Sequence, residues 1–413
     1  MKKLLLLFFL YCLVLVPGLK AMAQEEQLLI LSLDEALELA LKQNRKLQAS
    51  KAQLAISDAD IKIAKARLNP NLISDSGIAE RTYRLGIEKS FELGDKRNKR
   101  TELALSDKAI HTESINTDIL NLQSEVRLNF IKLFILQEKH KLFQETLDNT
   151  EALLEIFVKH AGNGDNANID VLQIEIANLN TKNELGNIEL QLNEAQNNFN
   201  ALLNQPLETK LELIHPNQSP TSLSENRSIN ELINLAIQNR PELQQNLNTQ
   251  KSAINQLKLA KANRIPNLSL TIGPDLITKS SGNDSVGVFV MSNMQIPLFN
   301  RQQGQIESAI ARQAQLELEQ AALAKQVELE VINSYNSLNL NKEQISRYEL
   351  EITPKAQTVN EKAKRCFEEG KCLVLIPINA QQSFLSSKLG YFDSLAAYQN
   401  SVCNLERAVG VKL

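Results

Sequence analysis

Apolar residues recur along this chain in three rhythms, and each rhythm appears twice. The first is amphipathic: Leu33, Leu37, Ala40 and Leu41 follow Ser32 and Glu35, the spacing at which a serine and a glutamate cap a helix reciprocally. Ser228 and Glu231 open a second such helix. Pro241 interrupts the second copy where the first has Arg45, so each short opening helix ends near there and a longer one runs on to Arg67 or Asn263. Pro70 and Pro266 stop those longer helices, because proline disfavours the helical conformation of the residue before it.

The second rhythm has period two. Tyr83, Leu85, Ile87 and Phe91 alternate with Arg84, Gly86, Glu88 and Ser90, while Leu268, Leu270 and Ile272 alternate with polar residues. Val286, Val288 and Val290 alternate with Gly287, Phe289 and Met291. Gly, Asp, Asn and Ser collect between these runs, as they do in turns, so each half offers one β-hairpin, at about 71–93 and about 267–297.

The third rhythm alternates steps of four and three. It sits in a tract from Asp95 to Ala161, 67 residues with no Gly or Pro, which as one helix would be about 100 Å long. Leu122, Val126, Asn129, Leu133, Leu136, His140, Phe143, Leu147, Thr150, Leu154 and Phe157 form a seam against a partner helix. After the turn Gly162-Asn163-Gly164-Asp165, a return helix repeats the spacing in Leu185, Ile188, Leu192, Ala195, Phe199 and Leu202. The second half follows suit with Gln305 to Glu369, a turn at Gly370-Lys371 and a return helix from about Pro377 to Val409. Pro354, with Thr353 as its cap, reads as a restart of the descending helix.

The two sets of rhythms are copies of one unit. Ser32 through Leu72 aligns without a gap on Ser228 through Leu268 at an offset of 196 residues. The expected organisation is a leader over 1–23, a first repeat over 24–204, a linker over 205–227 and a second repeat over 228–413.

Composition agrees with long helices: aromatics are 5%, Trp is absent, and Gln, Asn, Glu and Lys dominate the polar residues. Lys2 and Lys3, the apolar run Leu4 to Val16 and Ala21-Met22-Ala23 have the form of a cleaved export signal. Removing its three lysines takes the formal charge from −3 to −6, and no basic patch for nucleic acid emerges. No later apolar stretch reaches the length of a spanning helix, so strands would have to do any membrane crossing. Four strands facing lipid would leave two edges unpaired, at several kcal/mol per unsatisfied group, and the smallest membrane barrels have about eight. Other copies of the chain must therefore complete the barrel; a soluble periplasmic coiled coil with two surface hairpins is the competing reading.

The paired Ser-Leu-x-Glu-Ala-Leu-type openings, the Pro-Asn-Leu stops and the duplicated order of helix, hairpin, long helix and return helix resemble the TolC-like outer membrane efflux proteins over nearly all of the mature chain. Phe91-Glu92-Leu93-Gly94-Asp95-Lys96-Arg97 and Ile296-Pro297-Leu298-Phe299-Asn300-Arg301-Gln302-Gln303-Gly304 are similar to the CzcC- and CusC-like branch that serves heavy-metal efflux. The resemblance implies a mainly α fold with a small β part. Duplicated long antiparallel helical hairpins form an α-barrel tunnel, and two β-hairpins per chain complete a trimeric twelve-stranded outer membrane β-barrel in lipid. It implies a passive exit duct with no catalytic residues and no cofactor, partnered by a periplasmic adaptor and an inner membrane pump of the resistance-nodulation-division type. A duct for drug efflux or type I protein secretion is the alternative; a periplasmic adaptor should have one helical hairpin and several β-domains, which this chain lacks.

In that family the residues after a hairpin tip often read Val-Asp-Val-Leu-Asp, which places carboxylates at a lumenal constriction. Here the corresponding runs are Ile169-Asp170-Val171-Leu172-Gln173 and Leu375-Ile376-Pro377-Ile378-Asn379, so Gln173, Ile376 and Asn379 stand where acids are familiar. Asp170, with Asp165 and Glu368 or Glu369, is the candidate acidic ring of the periplasmic aperture, against solvated helix-end charges. Cys372 stands where some members carry a gating arginine, so that lock does not carry over.

Cys366 and Cys372 bracket the second tip in an oxidising compartment, and the turn at Gly370 allows the approach that a continuous helix would forbid. A disulfide, free thiols and metal capture are all open for this pair. Cys403 reads as a small buried apolar residue once Cys12 leaves with the signal. Met291 and Met294 face opposite sides of a strand, and His111, His140, His160 and His215 have no ligand spacing, so no metal site is assigned.

Overall fold

The computed structural model of the chain describes residues 28–77, 82–160, 165–214, 227–277 and 285–413. The expected leader, the Gly162-Asn163-Gly164 turn, and residues 215–226 of the linker lie outside the described residues.

The elements run β1 (Leu28–Leu31), α1 (Leu33–Gln43), α2 (Arg45–Lys65), β2 (Asn71–Gly77), β3 (Thr82–Phe91), α3 (Lys96–His160), α4 (Asp165–Leu203) and β4 (Lys210–Leu213). They continue with α5 (Ile229–Asn239), α6 (Pro241–Ala262), β5 (Leu268–Ile277), β6 (Ser285–Met294) and α7 (Gln303–Arg347). A single π turn, Tyr348–Ile352, joins α7 to α8 (Thr353–Glu368), and α9 (Leu375–Val409) returns.

Both opening helices are closed by the reciprocal caps their sequences specify. Ser32 Oγ accepts from Glu35 N at 3.4 Å while Glu35 Oε2 accepts from Ser32 N at 2.8 Å. Ser228 and Glu231 repeat the exchange at 3.3 and 3.0 Å. Beyond α1 and α5 the copies diverge in chemistry at one structural position. Asn44 caps α2 through Leu47 N at 3.0 Å and donates to Leu202 O at 3.0 Å. Its counterpart Arg240, buried ahead of Pro241, pairs instead with Glu330 at 2.5 Å and Glu242 at 3.3 Å.

Helix α3 carries 65 residues without a break. Near the sheet α2, α3, α6 and α7 pack in sequence; toward the hairpin tips α4, α3 and α9 do so, and α9 packs in turn along α7 and α8. The core gathers where the short helices join this layer. Val126, Phe130, Leu133 and Phe199 are fully buried around α1, and Leu232, Val327, Val331 and Leu405 around α5. Phe130 meets Phe199 edge-on, with centroids 6.2 Å apart. The expected seam is buried at Leu122, Val126, Leu133, Leu136, Phe143, Leu147 and Thr150, while the side chain of Phe157 lies outside the described residues.

One element was not anticipated in the sequence, and one expectation needs correction. The chain ahead of α1 and the start of the linker form strands, and β1 pairs with β4 in parallel from Leu28↔Lys210 to Leu31↔Leu213. Four residues each are too short for a period to register, and amide side chains hold β4 from outside the sheet: Gln137 Nε2 donates to Leu211 O at 2.7 Å, and Asn200 Nδ2 donates to Leu207 O and Thr209 O at 2.9 and 2.8 Å. The correction concerns Thr353. The α-helix does resume here, but it begins at Thr353 itself, whose buried hydroxyl makes no capping bond; the π turn takes up the break instead.

Candidate transport surfaces

The larger sheet has the order β2-β3-β5-β6, antiparallel throughout, with β2 and β6 at its edges. Because strand side chains alternate, pairing register assigns each residue to a face. Leu72, Ile87, Ile272 and Val290 form one cross-strand row, and Tyr83, Leu276 and Val286 another on the same face. Val286, Val288 and Val290 are each more than 70% exposed there. Such a continuous apolar face in water marks a surface meant for lipid or protein.

The opposite face is polar. Asp75, Arg84, Asp275 and Gly287 make one row, and Asn71, Glu88, Thr271 and Met291 another. Arg84 lies 3.9 Å from Asp75 Oδ2 and 3.4 Å from Asp275 Oδ1, with its guanidinium 5.8 Å from the Phe289 ring centroid. Ser90 and Ser269 hydroxyls share a 2.7 Å hydrogen bond further along. An apolar outside and a hydrophilic inside are what a water-filled membrane barrel requires of its strands.

The two motifs that close a strand and open a long helix both lie at the base of this sheet. Gly94 and Asp95 are both left-handed, at φ 72° and 60°, which turns β3 into α3. Glu92, just past β3, takes both terminal nitrogens of Arg100, and the hydrogen bond from that guanidinium holds its carboxyl below the usual carboxylate range. Buried Lys96 donates to Asn267 Oδ1 at 2.6 Å, tying the first motif to the Pro-Asn-Leu stop of the second half. Burial lowers the pKa of that ammonium. In the second motif Gln302 is left-handed at φ 60°, and Ile296, Leu298 and Phe299 project from the chain, Phe299 being 92% exposed.

At the far ends of the helices the aperture candidates separate into groups. Asp165 and Asp170 lie in the first turns of α4, with their side chains outside the described residues. Gln173 is exposed and lines a groove of about 320 Å³ between α3, α4 and α9, together with Thr146, Thr150 and Gln381. Gln381 Nε2 bridges Thr146 O and Thr150 Oγ1 at 2.9 and 3.1 Å, docking the second hairpin on the first. Glu368, Glu369, Ile376 and Asn379 are exposed around the second tip, and Glu369 accepts from Lys371 Nζ at 2.5 Å. Cys366 and Cys372 are neighbours, both thiols, each half-buried. Cys403 is buried beside the Arg127–Glu406 ion pair, which sequence reasoning did not anticipate because its partners are separated by most of the chain.

Among the described residues no helix is long and apolar enough to cross a membrane, and no group of three or more metal-ligating side chains converges. The profile of the family described as outer membrane efflux protein matches residues 36–205 and 232–411, once over each repeat. The chain is 22% identical over 387 residues to the cobalt-zinc-cadmium resistance protein CzcC of Cupriavidus metallidurans, covering 92% of this chain and 90% of that protein. Among solved structures, the CmeC outer membrane channel of Campylobacter jejuni superposes with a TM-score of 0.75 at 14% identity, over 92% of this chain and 85% of that one. The CusC structure superposes with a TM-score of 0.73 at 17% identity, over 92% of both chains.

Proposed function

The chain belongs to the outer membrane efflux protein family, and from that premise we propose that three copies form a duct through which an inner membrane pump, joined by a periplasmic adaptor, expels heavy-metal cations. The observation that carries the trimer is the four-stranded sheet: apolar on one face, polar on the other, with β2 and β6 unpaired. In lipid those edges must find partners. Joining β6 of one copy to β2 of the next around a threefold axis closes twelve strands, and brings the exposed Ile296, Leu298 and Phe299 against a neighbour. The helical layers then close into a tunnel in the same operation. The Asp75–Arg84–Asp275 row lines its lumen.

The metal assignment is supported by the likeness to CzcC, which spans nearly the whole of both proteins. Around the aperture, Asp170 of three copies forms the acidic ring, with Asp165, Glu368 and Glu369 adding charge nearby. Extracted from the outer membrane in a mild detergent, the protein should have three times the mass of one mature chain, and a host deprived of it should lose tolerance to cobalt, zinc or cadmium. A monomer stable without detergent overturns the trimer; a loss of drug tolerance with metal tolerance intact overturns the metal assignment alone.

A further inference from the structure

Cys366 and Cys372 are six residues apart, a separation of about 9 Å along a continuous helix. The end of α8 removes that separation. Lys371 N donates to Cys366 O and Gly370 N to Phe367 O, both at 2.9 Å, with Gly370 left-handed at φ 68°. This is the paired six-to-one and five-to-two closure of a Schellman cap, which folds the residues just past a helix back over its last turn. Cys366 is the helix residue whose carbonyl receives the outer bond, and Cys372 follows immediately after the donor. Cys372 Sγ comes to 3.9 Å from Ala363 O, one turn further back, and the Cys366 side chain lies beside it.

We propose that Cys366 and Cys372 are joined by a disulfide in the exported protein, a covalent clasp on the cap that forms the tip of the second helical hairpin. The oxidant is a protein disulfide of the kind that oxidising compartments maintain. One cysteine thiolate attacks a sulfur of that donor, forming a mixed disulfide and releasing the donor's other sulfur as a thiolate. The second cysteine's thiolate then attacks its partner's sulfur, closing the Cys366–Cys372 bond and leaving the donor as a dithiol. Two thiols of the chain are oxidised, one donor disulfide is reduced, and the protons pass to the departing thiolates.

In the folded tip, burial and the neighbouring Cys366 push the Cys372 thiol up to about 11, so little thiolate exists near neutral pH. Cys403, buried in α9, supplies an internal reference that should stay reduced. The first hairpin's turn contains no cysteine, so the clasp distinguishes the two tips.

The test is two-stage labelling of full-length protein taken from the outer membrane fraction. Thiols are capped with N-ethylmaleimide under denaturing conditions; after reduction a heavier maleimide is added, and peptides are read by mass. Cys403 should carry the first label, Cys366 and Cys372 the second. Unreduced digests should contain the linked peptide two hydrogens lighter than its thiol form, and Cys366→Ser should move Cys372 into the first pool. First-label modification of all three cysteines overturns the proposal, as does a Cys372 that stays in the second pool in Cys366→Ser. Loss of the duct reading would show separately, as absence of the protein from that membrane fraction.

Discussion

Glu92 stands where a strand becomes a 65-residue helix, and its carboxylate is gripped by both terminal nitrogens of Arg100. That hydrogen bond keeps the folded-state pKa of Glu92 below its ordinary 4.5. A carboxylate with a depressed folded pKa contributes stability that is complete above the unfolded pKa and is lost as pH falls through the folded one. Thermal dissociation of the detergent-solubilised protein should therefore show no pH dependence from this pair between pH 7 and 5, where its contribution is complete, and a decline below about 4.5 that Glu92→Gln reduces. At neutral pH the same substitution should cost about 1–2 kcal/mol, since Arg100 keeps enough solvent to soften the loss. Motif residues of this kind were conspicuous in sequence, though not their partners: nothing local connects Lys96 to Asn267. The amide side chains were harder still. Asn200 and Gln137 lie on the long helices α4 and α3, yet they spend their hydrogen bonds on main-chain carbonyls of β4 and the residues leading into it, a role visible only once the linker is in place.

At the scale of elements, periodicity was most informative where one side chain set meets one partner. Leu133 is fully buried in the α3 core, whereas Lys132 beside it is exposed. Leu133→Asp should cost several kcal/mol by burying an unpaired charge, and should appear as loss of assembled protein from the outer membrane. Lys132→Glu should leave assembly unchanged; equal damage from both would mean the helix face is assigned wrongly. The π turn was legible only in part. Pro354 announced a break in the descending helix, but not the bulge that carries Tyr348 against α9. Gly390 makes room there: a Cβ on it would sit 2.6 Å from the Tyr348 hydroxyl oxygen. A glycine inside a helix has no such meaning until the facing helix is known. The short β1–β4 pair escaped for a related reason, since four-residue strands held by side chains elsewhere show no period of their own.

For the molecule as a whole, duplication and strand count made the architecture readable, because two hairpins with unpaired edges cannot end in lipid as a monomer. The aperture is the part that periodicity does not reach. Burial along a helix separates core from exterior within one chain; lumen and outer wall are both exposed in that chain, and only the ring of copies proposed above would tell them apart. Gln173 shows the difficulty: it lies in a groove between helices of its own chain, beside Thr146 and Gln381, although it occupies a position where the family often has an acid. Asp170 is then the one acid retained in that run of the first tip. If three copies bring it near the axis, the like charges attract cations into the constriction, and their effect reaches only about a Debye length, roughly 8–10 Å at physiological salt. Single channels in planar bilayers should therefore be cation-selective, with reversal potentials under a salt gradient moving toward zero for Asp170→Asn, while Asp58→Asn, paired with Lys108 on the helices nearer the sheet, leaves them in place. The difference between the two variants should narrow as salt is raised toward 1 M, where screening contracts to about 3 Å. An unchanged reversal potential in Asp170→Asn would make that carboxylate an ordinary solvated residue at a helix start, and would leave the Asp75–Arg84–Asp275 row of the barrel wall as the charge that decides what the duct admits.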